Sequence, residues 1–259
     1  FNTVLFCPEH LSIIKDGPSA RRNYLDVAIS QLRPLYIASL QRYNHILKQR
    51  NMLIRSAKDD RRTFDETIDF WSEQLAAEAA TIASIRAEYI RRAGGYVAAI
   101  FSEMTGDREV PKLRYIGSSK DEEDFYFDRE AVKKRYMELL SSSHEREIAA
   151  EYTLWGIHKD EIEVTLNGRP ARIYASQGQQ RSLSLALKLT EGEICREARG
   201  EYPVFLLDDV LSELDEGRRK YLLSNIGSRQ VVITTCEPAA LQSAKVIHVK
   251  NGTYEVVLS

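Results

Sequence analysis

Two carboxylates stand side by side at the end of an apolar run. In "PVFLLDDVLSELD" the residues Val204 to Leu207 lead directly into Asp208 and Asp209. A strand with this pattern presents both acids at its carboxyl end, which in open α/β sheets faces the ligand crevice. One carboxylate there can hold a hydrated Mg²⁺ ion, and its neighbour can orient or deprotonate an attacking water. The same letters also suit a strand whose end is merely capped by Asp side chains at a turn. The pair alone does not separate these readings.

Its surroundings do more. About thirty residues upstream, "YASQGQQRSLSLALKL" places Ser176, Gln177, Gly178 and Gln179 at the mouth of a long apolar helix. Such a turn aims backbone N–H groups and the positive end of the helix dipole at one point, which suits an anion. "SELD" (Ser212 to Asp215) follows the acid pair, and the next strand, "QVVITTC", ends on polar residues and Cys236. A phosphate-cradling loop needs Gly followed by Lys. None of the thirteen glycines precedes a lysine, so that loop is not among these residues.

The elements that must hold these residues can be read from periodicity. Thr3 to Cys7 reads as a buried strand ended by Pro8, and Ser19 as the N-cap of a following helix. Tyr36, Leu40, Tyr43, Leu47 and Ile54 keep one helical face, as do Ile68, Trp71, Leu75, Ile82, Ile85 and Tyr89. With the polar break "KDDRRT" between them, the two stripes predict an antiparallel helical hairpin. Gly94-Gly95 is expected to break or bend the second helix. A strand "KLRYIG", an acidic loop "SKDEEDF" and one charged helix from about Arg129 to Tyr152 come next.

"EIEVTLNGRPARIY" predicts two strands around Asn167-Gly168. After the helix that begins near Arg181 come the acidic strand, a short helix from about Glu216 to Asn225, another strand and a hairpin across Asn251-Gly252. Alternation of this kind implies an α/β layer with a largely parallel sheet.

Composition sets the outer limits. At 259 residues, 43% apolar and 29% charged, the chain is that of a globular protein, and a net charge of −2 gives no overall pull toward nucleic acid. No apolar run is long enough to span a bilayer. Cys7, Cys195 and Cys236 lack metal-ligand spacing and a disulfide pattern, which favours a reducing, cytoplasmic setting. The opening "FNTVLFCPEH" has neither an initiator Met nor a leader, and is expected to be a cut through a larger protein.

Local basic clusters lie at Arg21-Arg22, at Arg50, Arg55, Lys58, Arg61 and Arg62, at Arg91-Arg92 and at Lys133-Lys134-Arg135. Such clusters can neutralise phosphates and make binding salt-sensitive. Asp59, Asp60 and Glu66 dilute them, and a solvated face is the alternative.

The ordered series of turn, helix, acid pair and "SELD" resembles the C-terminal half of an ABC-type ATPase head of the SMC-related DNA repair group. Within that group it is similar to the RecF family, through "VLFCPEHLSIIKDGPSARRNYLD", "QRNMLI", "GIHKDE", "SQGQQRSLSLALKL" and "FLLDDVLSELD". The resemblance implies an α/β head carrying an inserted helical lobe. Residues 1–17 would join head to lobe, 18–152 form the lobe, and 153–259 complete the head.

It also implies roles. Ser176, Gln177, Gly178 and Gln179 match the signature turn that touches the γ-phosphate of ATP held by a second copy. Asp208 matches the acid near Mg²⁺, and Asp209 stands where most such proteins carry a longer catalytic Glu. Ser212 to Asp215 match the loop that crosses the dimer seam. Cys236 falls at a switch position where His or Thr is usual, and donates to phosphate less well than either.

The implied protein is a slow DNA-dependent ATPase. It would form an ATP-dependent homodimer, clamp DNA at duplexes and single-strand/duplex junctions, and aid recombinase loading at gaps with RecR. Arg21, Arg22, Arg61, Arg62, Arg91 and Arg92 would be its DNA contacts. The chain by itself would bind ATP poorly and hydrolyse essentially none. "GIHKDE" departs from the family's Gly-Pro-His-Arg-Asp-Asp at Ile157, Lys159 and Glu161, and His158 is read as structural. Two alternatives stand: another SMC-like or ABC-type ATPase, and a non-catalytic interaction module whose helical hairpin binds a partner.

Overall fold

The computed structural model describes residues 2–106, 109–226, 229–236 and 245–257. Strand β1 (Thr3–Phe6) leads through a single 3-10 turn into helices α1 (Pro18–Ser30), α2 (Pro34–Ser56) and α3 (Arg61–Thr105). Strand β2 (Pro111–Ile116), helices α4 (Arg129–Ser141) and α5 (His144–Ala150), and strands β3 (Glu161–Leu166) and β4 (Arg169–Pro170) follow. Then come α6 (Ala171–Tyr174), α7 (Gln177–Arg199), β5 (Val204–Asp208), α8 (Glu216–Ile226), β6 (Val231–Thr234), β7 (Val246–Lys250) and β8 (Thr253–Val257).

Helices α2 and α3 form the expected hairpin. Arg33 pairs with Glu88, Arg42 with Glu78, and Arg50 with Ser72, so the numbering descends along α3 as it rises along α2. Tyr36 and Tyr43 share one buried cluster with Leu75, Ile82, Ile85 and Tyr89, and Ile54 shares a second with Phe64 and Ile68. Inside this apolar seam the fully buried Arg50 guanidinium donates to Glu147 (2.6 Å), Thr153 Oγ1 (2.9 Å) and Ser72 Oγ (3.1 Å). An uncompensated buried charge would be far more expensive than this satisfied one.

Several boundaries differ from the sequence reading, each for a physical reason. Helix α3 runs unbroken through Gly94-Gly95 to a left-handed cap at Gly106. Two glycines weaken a helix by about 1 kcal/mol each, and the packing of α3 against α2, α4, β2 and α7 outweighs that. The charged segment from Arg129 divides into α4 and α5. There the Ser142 and Ser143 hydroxyls donate to the Glu138 and Leu139 carbonyls and compete with the helical ladder.

Helix α1 is capped at Gly17 rather than Ser19, because Pro18 occupies its first position, where a missing N–H does no harm. The Asn167-Gly168 turn is present, with φ of 51° and 75°. Strand β4, however, stops after two residues at Pro170, which cannot extend the ladder.

Among the described residues the strands form three separate sheets. Strands β1, β5 and β6 lie parallel in the order β1-β5-β6, with Phe6 opposite Leu207 and Asp208 opposite Thr234. Strands β2, β3 and β4 are antiparallel, so a strand of the expected lobe pairs with one of the expected head. Strands β7 and β8 make the hairpin across Asn251-Gly252.

One face of the parallel sheet, Val4, Phe6, Phe205 and Leu207, is buried with Leu185 and Leu189 of α7 and Leu222 and Ile226 of α8. The approach is close: a Cβ on Gly192 of α7 would lie 2.4 Å from the Phe205 ring. Helix α7 ends at Arg199 and β5 begins at Val204, so the chain reverses and the start of α7 lies toward the acidic end of β5.

Candidate functional site

The acid pair sits where an open parallel sheet places a ligand. Asp208 is the last residue of β5 and is exposed. Thr234, its neighbour at the end of β6, donates from Oγ1 to Asp208 Oδ1 at 2.5 Å. The same Oγ1 accepts from the Asp209 N–H at 3.2 Å, and the Thr234 carbonyl accepts from it at 3.1 Å. Asp209 is held in the left-handed region, with φ of 48°, a conformation Asp tolerates better than most side chains. Its Oδ1 is buried and lacks a hydrogen-bond partner.

A buried acceptor left open at a strand tip is a group waiting for a donor. Among the described residues no cluster of three or more His, Cys, Asp or Glu could enclose a metal. Mg²⁺ takes one or two carboxylates and fills its other positions with water and phosphate oxygens, and the adjacent Asp208 and Asp209 are donors of that type.

The turn at the start of α7 is a capping box. Ser176 Oγ accepts from the Gln179 N–H (3.3 Å), and Gln179 Oε1 accepts from the Ser176 N–H (2.6 Å). The Gln179 amide also donates to Glu109. Ser176 and Gln177 are exposed, and Gly178 and Gln179 are half-buried. The turn is therefore rigid and open to solvent, as an anion seat at a helix N-terminus requires.

Ser212 and Asp215 lie between the two. Ser212 Oγ donates to the Asp209 carbonyl (2.8 Å), which braces the strained residue from the other side. Asp215 caps the start of α8 by accepting from the Arg218 N–H (2.9 Å). Arg181 of α7 donates to the Glu213 carbonyl (2.7 Å), and Arg218 Nε donates to Ser182 Oγ (2.6 Å). These contacts draw the first turns of α7 and the loop after β5 together on one side of the molecule.

Cys236 is exposed and lies two residues beyond the position in register with Asp208. Sequence reasoning missed Thr234, Arg181 and Arg218. The signal for Thr234 was the polar ending of "VVITTC", credited to Cys236 instead of to the residue opposite the acid.

The six arginines expected at DNA are placed less freely than their clustering suggested. Arg21 is buried: it grips Glu161 through two 2.7 Å bonds and the carbonyls of Ile13, Ile14 and Asp16. It is a fold-holding residue and offers no surface charge. Arg22 donates to the Asp160 carbonyl (2.8 Å), and Arg92 pairs with Glu197 (3.0 Å). Arg61 pairs with Asp65 and Glu145, and Arg62 with Glu66, all at the surface. Arg91 lies 4.1 Å from the Phe127 ring centroid.

His158 is held inside the fold at both ring nitrogens. Its Nδ1 meets Tyr43 Oη (2.7 Å) and its Nε2 the Thr153 carbonyl (3.1 Å), so Nε2 carries the proton and Nδ1 accepts. Burial pulls its pKa down to about 4. Asp160 in the same segment is a buried hub that takes the Ser118 N–H (2.9 Å), Tyr115 and Arg86. No described helix is long and apolar enough to cross a membrane.

No family model matches the chain. Similar proteins do. The DNA replication and repair protein RecF of Heliobacterium modesticaldum is 40% identical over 258 residues, 97% of this chain and 68% of that protein. RecF of Exiguobacterium sp. is 38% identical over 98% of this chain and 69% of its own length. Two solved structures of the recombination mediator protein RecF in the RecFOR pathway, RecF-ATPrS and RecF-ATP, superpose with TM-scores of 0.91 and 0.86 at 32% and 34% identity. Each alignment covers all of this chain and 68% of the other. The chain thus spans about two thirds of the length of these relatives. Over this chain the fold is that of the solved RecF structures, a mixed α/β fold that carries the long α2–α3 helical hairpin. The chain belongs to the RecF family of DNA replication and repair proteins.

Proposed function

We propose that this chain supplies two separate faces of an ATP site that closes only between two copies. The turn Ser176 to Gln179 receives the γ-phosphate of nucleotide carried by the other copy. Asp208 and Asp209 serve nucleotide bound on their own copy. The carrying observation is the pairing of a pre-capped, solvent-open turn with an acid tip whose Asp209 Oδ1 lacks a partner. The ATP-bound relatives support it.

Asp208 would hold Mg²⁺, which when bound neutralises phosphate charge. Thr234 orients the Asp208 carboxylate and fixes the Asp209 backbone. Asp209 would align water and take its proton through the unpartnered oxygen. Ser212 and Asp215 would meet the seam between copies, with Cys236 at the rim. The division into 1–17, 18–152 and 153–259 belongs to the same reading, with the β2–β3 ladder tying lobe to head.

In the cell the assembled protein would act as a slow, DNA-dependent ATPase clamp at duplexes and junctions, in the cytoplasm, aiding recombinase loading with RecR. The exposed Arg61, Arg62 and Arg91 are the DNA contacts that remain accessible.

The test uses a completed protein: this chain joined to the third of the Heliobacterium modesticaldum protein that it does not span. Slow ATP turnover, stimulated by gapped duplex, is expected. Asp208→Asn and Ser176→Arg should each lower it at least ~100-fold. Unchanged turnover in either variant removes that residue from the site.

A further inference from the structure

The Gly178 backbone lies outside the left-handed region, so its φ angle does not demand glycine. What disfavours a side chain there is a tight contact. A Cβ built at Gly178 would lie 3.1 Å from Nη2 and 3.7 Å from Nη1 of Arg218, so the guanidinium sits over the glycine. Arg218 is held there by two side chains, Ser182 and Asp215, and Ser182 ties it back to the glycine. Its Nε donates to Ser182 Oγ (2.6 Å), Ser182 Oγ donates to the Gly178 carbonyl (3.1 Å), and its Nη1 pairs with Asp215. Ser182 is fully buried, so this hydroxyl has no solvent alternative. Arg181 makes a parallel tie to the Glu213 carbonyl.

We propose that Arg218 is a positioning residue that couples the phosphate-facing turn to the loop after Asp209 within one copy. The inference rests on the composite-site reading above. A phosphate seated on the turn pulls on the Gly178 peptide. Ser182 and Arg218 carry that displacement to Asp215, and the short segment from Asp215 back to Ser212 ends on the Asp209 carbonyl. Each copy therefore reports the state of its partner's nucleotide to its own acid tip. Turnover should then depend cooperatively on ATP. Glycine at 178 serves the guanidinium as well as the incoming phosphate.

The test is a double-mutant cycle on Gly178→Ala and Arg218→Ala in the completed protein, read as kcat, KM and the steepness of the ATP dependence. Arg218→Ala is expected to abolish cooperativity and raise KM about tenfold, in keeping with one charge-assisted bond, while kcat at saturating ATP changes less. Because Ser182 and Asp215 hold the guanidinium, Gly178→Ala should be impaired by this tight contact, and adding Arg218→Ala should recover part of that loss. Arg218→Lys, which cannot donate from Nε, should stay non-cooperative.

If Gly178→Ala is equally impaired with and without Arg218, or if Arg218→Ala leaves the ATP dependence unchanged, the coupling role is wrong. Asp208→Asn run alongside separates the failures. Were it to keep full turnover, the composite-site reading itself would fall; if only the Arg218 variants behave like wild type, that reading stands and the coupling falls.

Discussion

Thr234 Oγ1 stands 2.5 Å from Asp208 Oδ1 and also accepts the Asp209 N–H, so one hydroxyl orders both acids at the sheet edge. The residue does this because β6 is parallel to β5 and in register with it at that rung. Removing the hydroxyl while keeping the shape isolates its part. Thr234→Val in the completed protein should lower ATP turnover roughly 10- to 100-fold, the range typical for groups that orient metal ligands. Thr234→Ser should retain most of it. A Val variant as active as wild type in a steady-state phosphate-release assay rules out the orienting role.

Arg21 and Arg62 separate fold from surface. Arg21→Ala takes the guanidinium from Glu161, which keeps the Ile162 N–H, and from three carbonyls, and should lower stability by roughly 3 kcal/mol in urea unfolding. Arg62 is 88% exposed with a single i,i+4 partner. Arg62→Ala should leave the urea midpoint unchanged and reduce the salt dependence of DNA binding by about one phosphate contact. The opposite pattern, a stable Arg21→Ala protein with weakened DNA binding, would reverse the assignment.

Gly94 and Gly95 lie within the continuous α3, and a Cβ at either meets nothing within 4 Å. Gly94→Ala and Gly95→Ala should each stabilise the chain by roughly 0.5–1 kcal/mol. Destabilisation in the same urea assay would mean that the helix bends there in solution.

Acid should weaken the fold through His158, which joins the head segment to Tyr43 of the lobe. Burial lowers its folded pKa to about 4, against about 6.5 for an ordinary imidazole. The folded state therefore takes up its proton later than the unfolded chain. The stability this gives is complete above pH 6.5 and is lost as the pH falls toward 4, by up to ~3 kcal/mol. Unfolding midpoints measured between pH 7 and 5 should fall for the wild type and fall less for His158→Gln. Parallel slopes would show that another group titrates.

The elements holding the site were legible where local chemistry and packing agree. The stripe from Tyr36 to Ile54, the acid-tipped strand and the two Asn-Gly turns each carry a period or a backbone demand that no neighbour contradicts. Gly94-Gly95 misled because propensity is local, whereas the packing that keeps α3 straight comes from α2, α4, β2 and α7. Arg21 misled because a run of basic letters does not show that its partner is Glu161, 140 residues away. Thr234 and Arg218 were hidden for the same reason. Their roles come from strand register and from the return of α8 to α7, which the linear spacing of motifs does not encode.

The sharpest measurement mixes two crippled forms of the completed protein, Ser176→Arg and Asp208→Asn, each nearly inactive alone. When the turn of one copy serves the acids of another, a mixed pair contains one intact site. Half of the dimers in an equal mixture are mixed, so turnover should recover to about a quarter of wild type. A mixture that stays as inactive as its components would show that each nucleotide site is built within a single chain.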